Sequence, residues 1–193
     1  AEEMLGNFAQ ARGIPLCETI AGKGAVLHEH PAYVGGIGVT GSASANAMAA
    51  EADVIVAIGT RLQDFTTGSW TSFKADAQFI SINAARFDAT KHRAISVVGD
   101  ARESLREMDA ALGDWSAPDT WMEKGRDEMA KWDSLIDELQ KPSNAHIPSY
   151  AQVIKVVQDN AKTEDLVITA AGGPPGEVNK CWRVKAPNTV DTE

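Results

Sequence analysis

The segment Asp53-Val54-Ile55-Val56-Ala57-Ile58 constrains the fold more than any other stretch. Its apolar residues follow one another without polar alternation, so a strand built from them must be covered on both faces. A parallel sheet between helical layers meets that condition. The flanking sequence repeats the theme. A helical pattern carrying Met4, Leu5, Phe8 and Ala9 runs into Gly13, and Ile14-Pro15-Leu16-Cys17 reads as a short strand. Residues Ser42 to Glu51 are Ala-rich and helix-forming. Gln78-Phe79-Ile80-Ser81-Ile82 and Ile95-Ser96-Val97-Val98 give two further strands, the second followed by a helix from Asp100 to about Leu112. Alternation of this kind predicts an α/β fold with a doubly wound parallel sheet.

From Pro118 to Gln140, apolar residues recur every three or four positions (Trp121, Met122, Met129, Trp132, Ile136, Leu139), which predicts one long amphipathic helix. Lys141-Pro142-Ser143-Asn144 breaks that pattern. We therefore expect a first domain over residues 1–140 and a truncated second α/β piece over residues 141–193. The second piece reads as a helix from Pro148 to about Asn160, a strand Leu166 to Ala170, a loop Ala171 to Gly176 and a helix near Glu177 to Trp182. A lone buried-type strand there leaves backbone edges and apolar faces uncovered, so this piece is expected to dock on something or to order poorly. The chain opens inside a helical pattern and stops at Asn188-Thr189-Val190-Asp191-Thr192-Glu193, where a strand begins; both ends suggest a piece of a longer protein.

Charge narrows the function classes. With 27 acidic against 18 basic side chains, the net charge of −9 argues against nucleic acid, whose binding needs clustered Lys and Arg. No apolar run approaches the roughly 20 residues that span a bilayer, so no membrane partner is expected and a cytoplasmic protein fits. Cys17 and Cys181 form neither a disulfide framework nor a zinc pattern. His28, His30, His92 and His146 lack metal spacing and are expected to be solvated loop residues. No Ser-His-Asp or Cys-His arrangement is legible, so no catalytic residue and no metal ligand is assigned.

Gly36-Ile37-Gly38-Val39-Thr40-Gly41 has the spacing of a dinucleotide-binding fingerprint. That motif needs a hydrophobic strand ahead of its first glycine. His30-Pro31-Ala32-Tyr33-Val34 contains a proline and is short and polar, so no central strand is expected there. The glycines are then a tight loop feeding the helix from Ser42. A helix N-terminus with free N–H groups accepts anions, which leaves a nucleotide-like site open beside that reading.

Several ordered matches together carry a resemblance. They are Thr19-Ile20-Ala21-Gly22-Lys23-Gly24, Gly38-Val39-Thr40-Gly41, Ala45-Asn46, Ala52 to Leu62, Ile80-Ser81-Ile82-Asn83 and Val97-Val98-Gly99-Asp100-Ala101. In this succession the chain resembles the Rossmann-like middle domain of thiamine-diphosphate-dependent enzymes of the acetolactate synthase and pyruvate oxidase group. Gln63 to Trp70, Ala170 to Glu177 and Asn188 to Glu193 are similar to the branch of that group that hydrolyses a carbon–carbon bond of a cyclic 1,2-diketone in myo-inositol breakdown. The resemblance covers essentially the whole chain.

It implies a three-domain parent that uses thiamine diphosphate and magnesium on a small-molecule substrate, with the remaining domains of the same enzyme as partners and a homo-oligomeric state. In that family the carboxylate that activates the cofactor lies in an N-terminal domain, and the magnesium-binding Gly-Asp-Gly motif lies beyond the position of Glu193. The chain alone is thus expected to be a scaffold without activity and without bound cofactor. Gly172 matches the family's diphosphate-loop glycine and Gly173 adds a second N–H, so these two are the implied cofactor-binding residues. The family often has polar side chains at the positions of Gly173 and Pro174, and a proline has no N–H to donate. A Gly-Pro turn without a ligand stays open beside that reading. The resemblance also leaves open a ligand-binding or regulatory module, because the same fold binds the ADP part of a flavin in some relatives: a nucleotide- or flavin-binding module of an acetolactate-synthase-like enzyme, with its site near Gly22, Gly38 or Gly41.

Overall fold

The computed structural model describes residues 2–192. Helix α1 (Glu2–Ala11) ends at Gly13, which takes a left-handed φ of 64°. Strand β1 (Leu16–Glu18) then pairs in parallel with β2 (Tyr33–Gly36), Leu16 lying opposite Tyr33. The second strand corrects an expectation, because a buried strand does precede the Gly36 to Gly41 loop. Its two last residues are glycines, so half of it carries no apolar side chain to reveal it. Instead of filling space, Gly35 and Gly36 admit neighbours: a Cβ on Gly35 would fall within 2.9 Å of the Ser42 Cβ.

Helix α2 (Ala43–Glu51) is stitched to that strand by hydroxyls. Ser42 caps it by accepting from the Ala45 amide. Ser42 and Ser44, both buried, each donate to the Val34 carbonyl, at 3.3 and 2.7 Å. Buried hydroxyls need such acceptors, and here the need fixes helix to strand.

Strands β3 (Val54–Ile58), β4 (Gln78–Asn83) and β5 (Ile95–Val98) form a second parallel group with unbroken register, Val54 opposite Gln78 and Ile80 opposite Ile95. Two short helices, α3 (Asp64–Thr67) and α4 (Arg86–Ala89), lie in the connections between these strands. Helix α5 (Ala101–Leu112) starts at Asp100, whose carboxylate accepts from the Arg102 and Glu103 amides. It packs on β4, where Leu105 and Ile82 are fully buried. All strand pairs are parallel and helices lie between them, the architecture expected of the first unit.

The long helix α6 (Asp119–Leu139) turns Met122, Gly125, Met129 and Ile136 inward. Gly125 lets Val34 and Pro15 reach its backbone. Residues 141–149 are exposed throughout. Helix α7 (Tyr150–Asn160), begun by a Ser149–Gln152 capping box, strand β6 (Val167–Thr169), helix α8 (Gly173–Cys181) and strand β7 (Val190–Thr192) follow, with β6 parallel to β7. These elements dock on the end of α6: Ile136, Ala151, Ile154, Val178, Cys181, Trp182 and Val184 share one core. Helix α8 begins at Gly173, four residues before the expected start, because Pro174 and Pro175 occupy first-turn positions where an N–H is not required. Leu166 and Ile168 of the β6 region and Val153, Val156 and Val157 of α7 stay exposed. Among the described residues no helix is long and apolar enough to cross a membrane.

Candidate functional site

The loop between β6 and α8 combines exposed backbone donors with a conformation that requires glycine. Gly172 has φ 118° and ψ −149°, a region closed to L side chains, and caps α8. Gly172 and Gly173 are exposed. Space around Gly172 is open, since a Cβ there would meet nothing nearer than Pro174 Cδ at 3.8 Å. The N-terminal end of a helix attracts negative charge, but Pro174 and Pro175 remove two amides from this first turn. What remains is a small donor set, the Gly172 and Gly173 N–H groups, on a loop open to solvent. Tyr150 approaches it from α7: a Cβ on Gly173 would lie 3.0 Å from the Tyr150 hydroxyl. Tyr150 carries no local signal of this role, because it stands at a helix start far from the loop along the chain.

The helix carrying this loop is held at two places by residues of the first unit. Near its C-terminal end, Asn179, which is buried, donates from Nδ2 to the Thr40 carbonyl at 3.1 Å. Just past the C-terminal end, the Arg183 guanidinium donates to Asp137 Oδ1 at 2.7 Å and to Asp133 Oδ1 at 3.2 Å, while its backbone N–H donates to Gln158 Oε1 at 2.9 Å. Asp133 also faces His28, 3.2 Å from Nε2, and the His28 amide donates to the Val184 carbonyl. Burial works against the ionised Asp133 carboxylate, yet the bonds and charges of His28 and Arg183 outweigh it and hold that carboxyl below its usual range. His28 is accordingly not a solvated loop residue; its side chain is 12% exposed and paired.

A second buried polar group lies under the β1–β2 connection. Glu18 Oε1 accepts from the Gly24 and Val26 amides at 3.1 and 2.8 Å. Burial raises the Glu18 carboxyl and lowers the Lys23 ammonium, each partly offset by the other's charge. Burial also pushes the Cys181 thiol up to about 11, which leaves almost no thiolate at neutral pH and no nucleophile there.

The Gly36 to Gly41 loop is occupied by the chain itself. The Gly38 N–H donates to Asn46 Oδ1, Asn46 Nδ2 donates back to the Gly38 carbonyl, and the Val39 N–H donates to the Phe65 carbonyl. A Cβ on Gly38, at φ 110°, would collide with the Phe65 carbonyl and lie 2.9 Å from Thr66 Cα. The backbone of α3 thus packs against the glycine loop where a dinucleotide phosphate would approach. Gly22 likewise spends its N–H on Thr19. The glycines that looked like a nucleotide fingerprint are a packing device.

Comparison with known proteins adds two findings. The family described as "Thiamine pyrophosphate enzyme, central domain" matches residues 1–108. Over the whole chain, similarity extends to proteins named 3D-(3,5/4)-trihydroxycyclohexane-1,2-dione hydrolase. The one from Clostridium perfringens is 31% identical over 217 residues and that from Geobacillus thermodenitrificans is 32% identical over 214 residues. The alignments take in 100% of this chain but 34% and 33% of those relatives. The chain therefore spans about a third of the length of the curated relatives it matches.

Proposed function

The chain belongs to the thiamine pyrophosphate enzyme family, in which it matches the central domain, and on that premise we propose that it is the non-catalytic middle of a thiamine-diphosphate-dependent hydrolase. The parent enzyme cleaves a carbon–carbon bond of a cyclic 1,2-diketone in inositol breakdown. The names of the relatives support that substrate class. In this reading residues 1–140 are the middle domain and residues 141–193 begin the cofactor domain, a division favoured by the exposed stretch at 141–149.

The observation that carries the reading is the exposed Gly172–Gly173 loop at the head of α8, the helix seated on the first unit. Gly172 and Gly173 would hold diphosphate oxygens through their N–H groups, and the open space beside Gly172 fits such a contact. When bound, thiamine diphosphate supplies the carbon nucleophile of the reaction. The chain's own part is to present that loop and to space the catalytic halves. In this reading magnesium and the activating carboxylate would come from the remaining domains of the enzyme. The exposed apolar residues Val153, Val156, Val157 and Ile168 suit contact with those domains in a homo-oligomeric cytoplasmic enzyme.

Ring opening of a cyclic 1,2-diketone with thiamine diphosphate and magnesium tests this reading. The full-length protein should turn over and the 193-residue chain alone should not. Turnover by the chain alone would overturn the scaffold role, and none by the full-length protein would overturn the hydrolase assignment.

A further inference from the structure

We propose that Asn179, together with the facing glycines Gly36 and Gly176, forms a seat that aims helix α8 and its Gly172–Gly173 loop, which makes Asn179 a positioning residue for cofactor binding. The proposal deepens the function proposed above and rests on its assignment of that loop to the diphosphate.

Gly176 and Asn179 are three residues apart on α8, so they share a face. Both are buried. That face meets the loop after β2 at a spacing that tolerates no extra atoms. A Cβ on Gly36 would lie 2.6 Å from Asn179 Oδ1, and a Cβ on Gly176 would lie 2.9 Å from Thr40 Cγ2. Missing side chains on both sides let the backbones approach, and the Asn179 amide then closes the contact by donating to the Thr40 carbonyl. Its Oδ1 is buried without a hydrogen bond among the described residues. A buried amide left half satisfied is costly, so the single Nδ2 bond and the close glycine contact decide where the helix rests.

The lever is short but sufficient. From Asn179 to Gly173 the helix rises about 9 Å, so a tilt of about 10° about the seat moves the loop by about 1.6 Å. Displacements on the order of 1 Å are enough to spoil a bound geometry. The C-terminal side of α8 has other anchors, in Trp182, Val184 and the Arg183 ion pairs. Nearer the loop it has the close approach of Gly176 to Thr40 and the Tyr150 contact. The loop's aim therefore depends on the glycine motif of the first unit, which gives that motif a purpose other than binding a nucleotide.

The test uses the full-length protein and the dissociation constant of thiamine diphosphate in the presence of magnesium, read by calorimetry, with the thermal midpoint of the cofactor-free protein measured in parallel. Asn179→Ala and Gly176→Ala should each weaken cofactor binding by about tenfold or more while the cofactor-free midpoint moves by only a few degrees. Thr40→Ser removes the methyl that Gly176→Ala would strike at 2.9 Å and leaves the Thr40 Cβ at 3.1 Å, so adding it to Gly176→Ala should recover about threefold or more of the lost affinity. Unchanged affinity in folded Asn179→Ala and Gly176→Ala variants would overturn the proposal, as would a Gly176→Ala loss that Thr40→Ser does not reduce. Gly172→Ala separates the two levels. If it weakens the cofactor and the seat variants do not, the seat fails; if it too leaves affinity unchanged, the loop's assignment to the diphosphate fails and the seat falls with it.

Discussion

Adding one methyl group at Gly38 measures how firmly the chain fills its own nucleotide-like loop. Gly38 sits at φ 110°, and a Cβ there would collide with the Phe65 carbonyl and crowd Thr66 Cα at 2.9 Å. Left-handed backbone costs a non-glycine residue about 1–2 kcal/mol. Displacing the packed backbone of α3 adds about 1–3 kcal/mol, the usual range for overpacking. Gly38→Ala should therefore cost about 2–5 kcal/mol, which for a chain of this size lowers the thermal midpoint by about 4–20 °C. Gly59→Ala is the matched control, since Gly59 has φ 64° and nothing within 4 Å of a built Cβ. Only the backbone term applies there, so the expected loss is about 1–2 kcal/mol, or about 2–8 °C. Differential scanning calorimetry of both variants decides. Equal shifts at the two sites would refute the packing of α3 against the loop, and binding of a nicotinamide or flavin dinucleotide to the parent protein would refute its occupation.

Substitutions at two further positions, Glu18 and Arg183, probe charged groups. Glu18→Ala strips the acceptor from the buried Gly24 and Val26 amides and should cost about 2–4 kcal/mol, whereas Glu18→Gln keeps a carbonyl oxygen and should cost less. Because burial raises the Glu18 carboxyl, its favourable contribution is complete below the ordinary carboxylate range and is lost as the pH rises through the raised folded value. The Glu18→Gln variant should thus gain on the parent protein as the pH rises above the ordinary carboxylate range, and a pH-independent gap in denaturant midpoints would count against this. Arg183→Ala should cost about 1 kcal/mol, a modest figure because the partners Asp133 and Asp137 are 31% and 54% exposed and screened by solvent. The folded Asp133 carboxyl is held low, so that contribution stands above its ordinary value and fades as the pH falls below about 4; persistence of the full gap at pH 3 would contradict the ion pairing.

How much of this was legible in the chain depends on whether a neighbour in space was also a neighbour in sequence. The apolar run Val54 to Ile58 and the seven-residue, two-turn spacing of Met122, Met129 and Ile136 are local patterns, and both elements stand where those patterns put them. The same holds for the helix opened by Asp100 and for the turn at Gly172, whose φ is 118°. Strand β2 escaped because Gly35 and Gly36 carry no side chain whose hydrophobicity could mark them, and only the packing of Ser42 and Asn179 against them shows why glycine is there. The seat of α8 was equally hidden. Asn179 and Thr40 lie 139 positions apart, as His28 and Asp133 lie 105 apart. Periodicity reports which face of an element turns inward, but which partner waits on the other side is decided when distant segments close-pack. The sequence alone therefore determined the α/β class, the main elements and the open glycine loop, while tertiary structure decided that the Gly36 to Gly41 motif holds protein instead of phosphate.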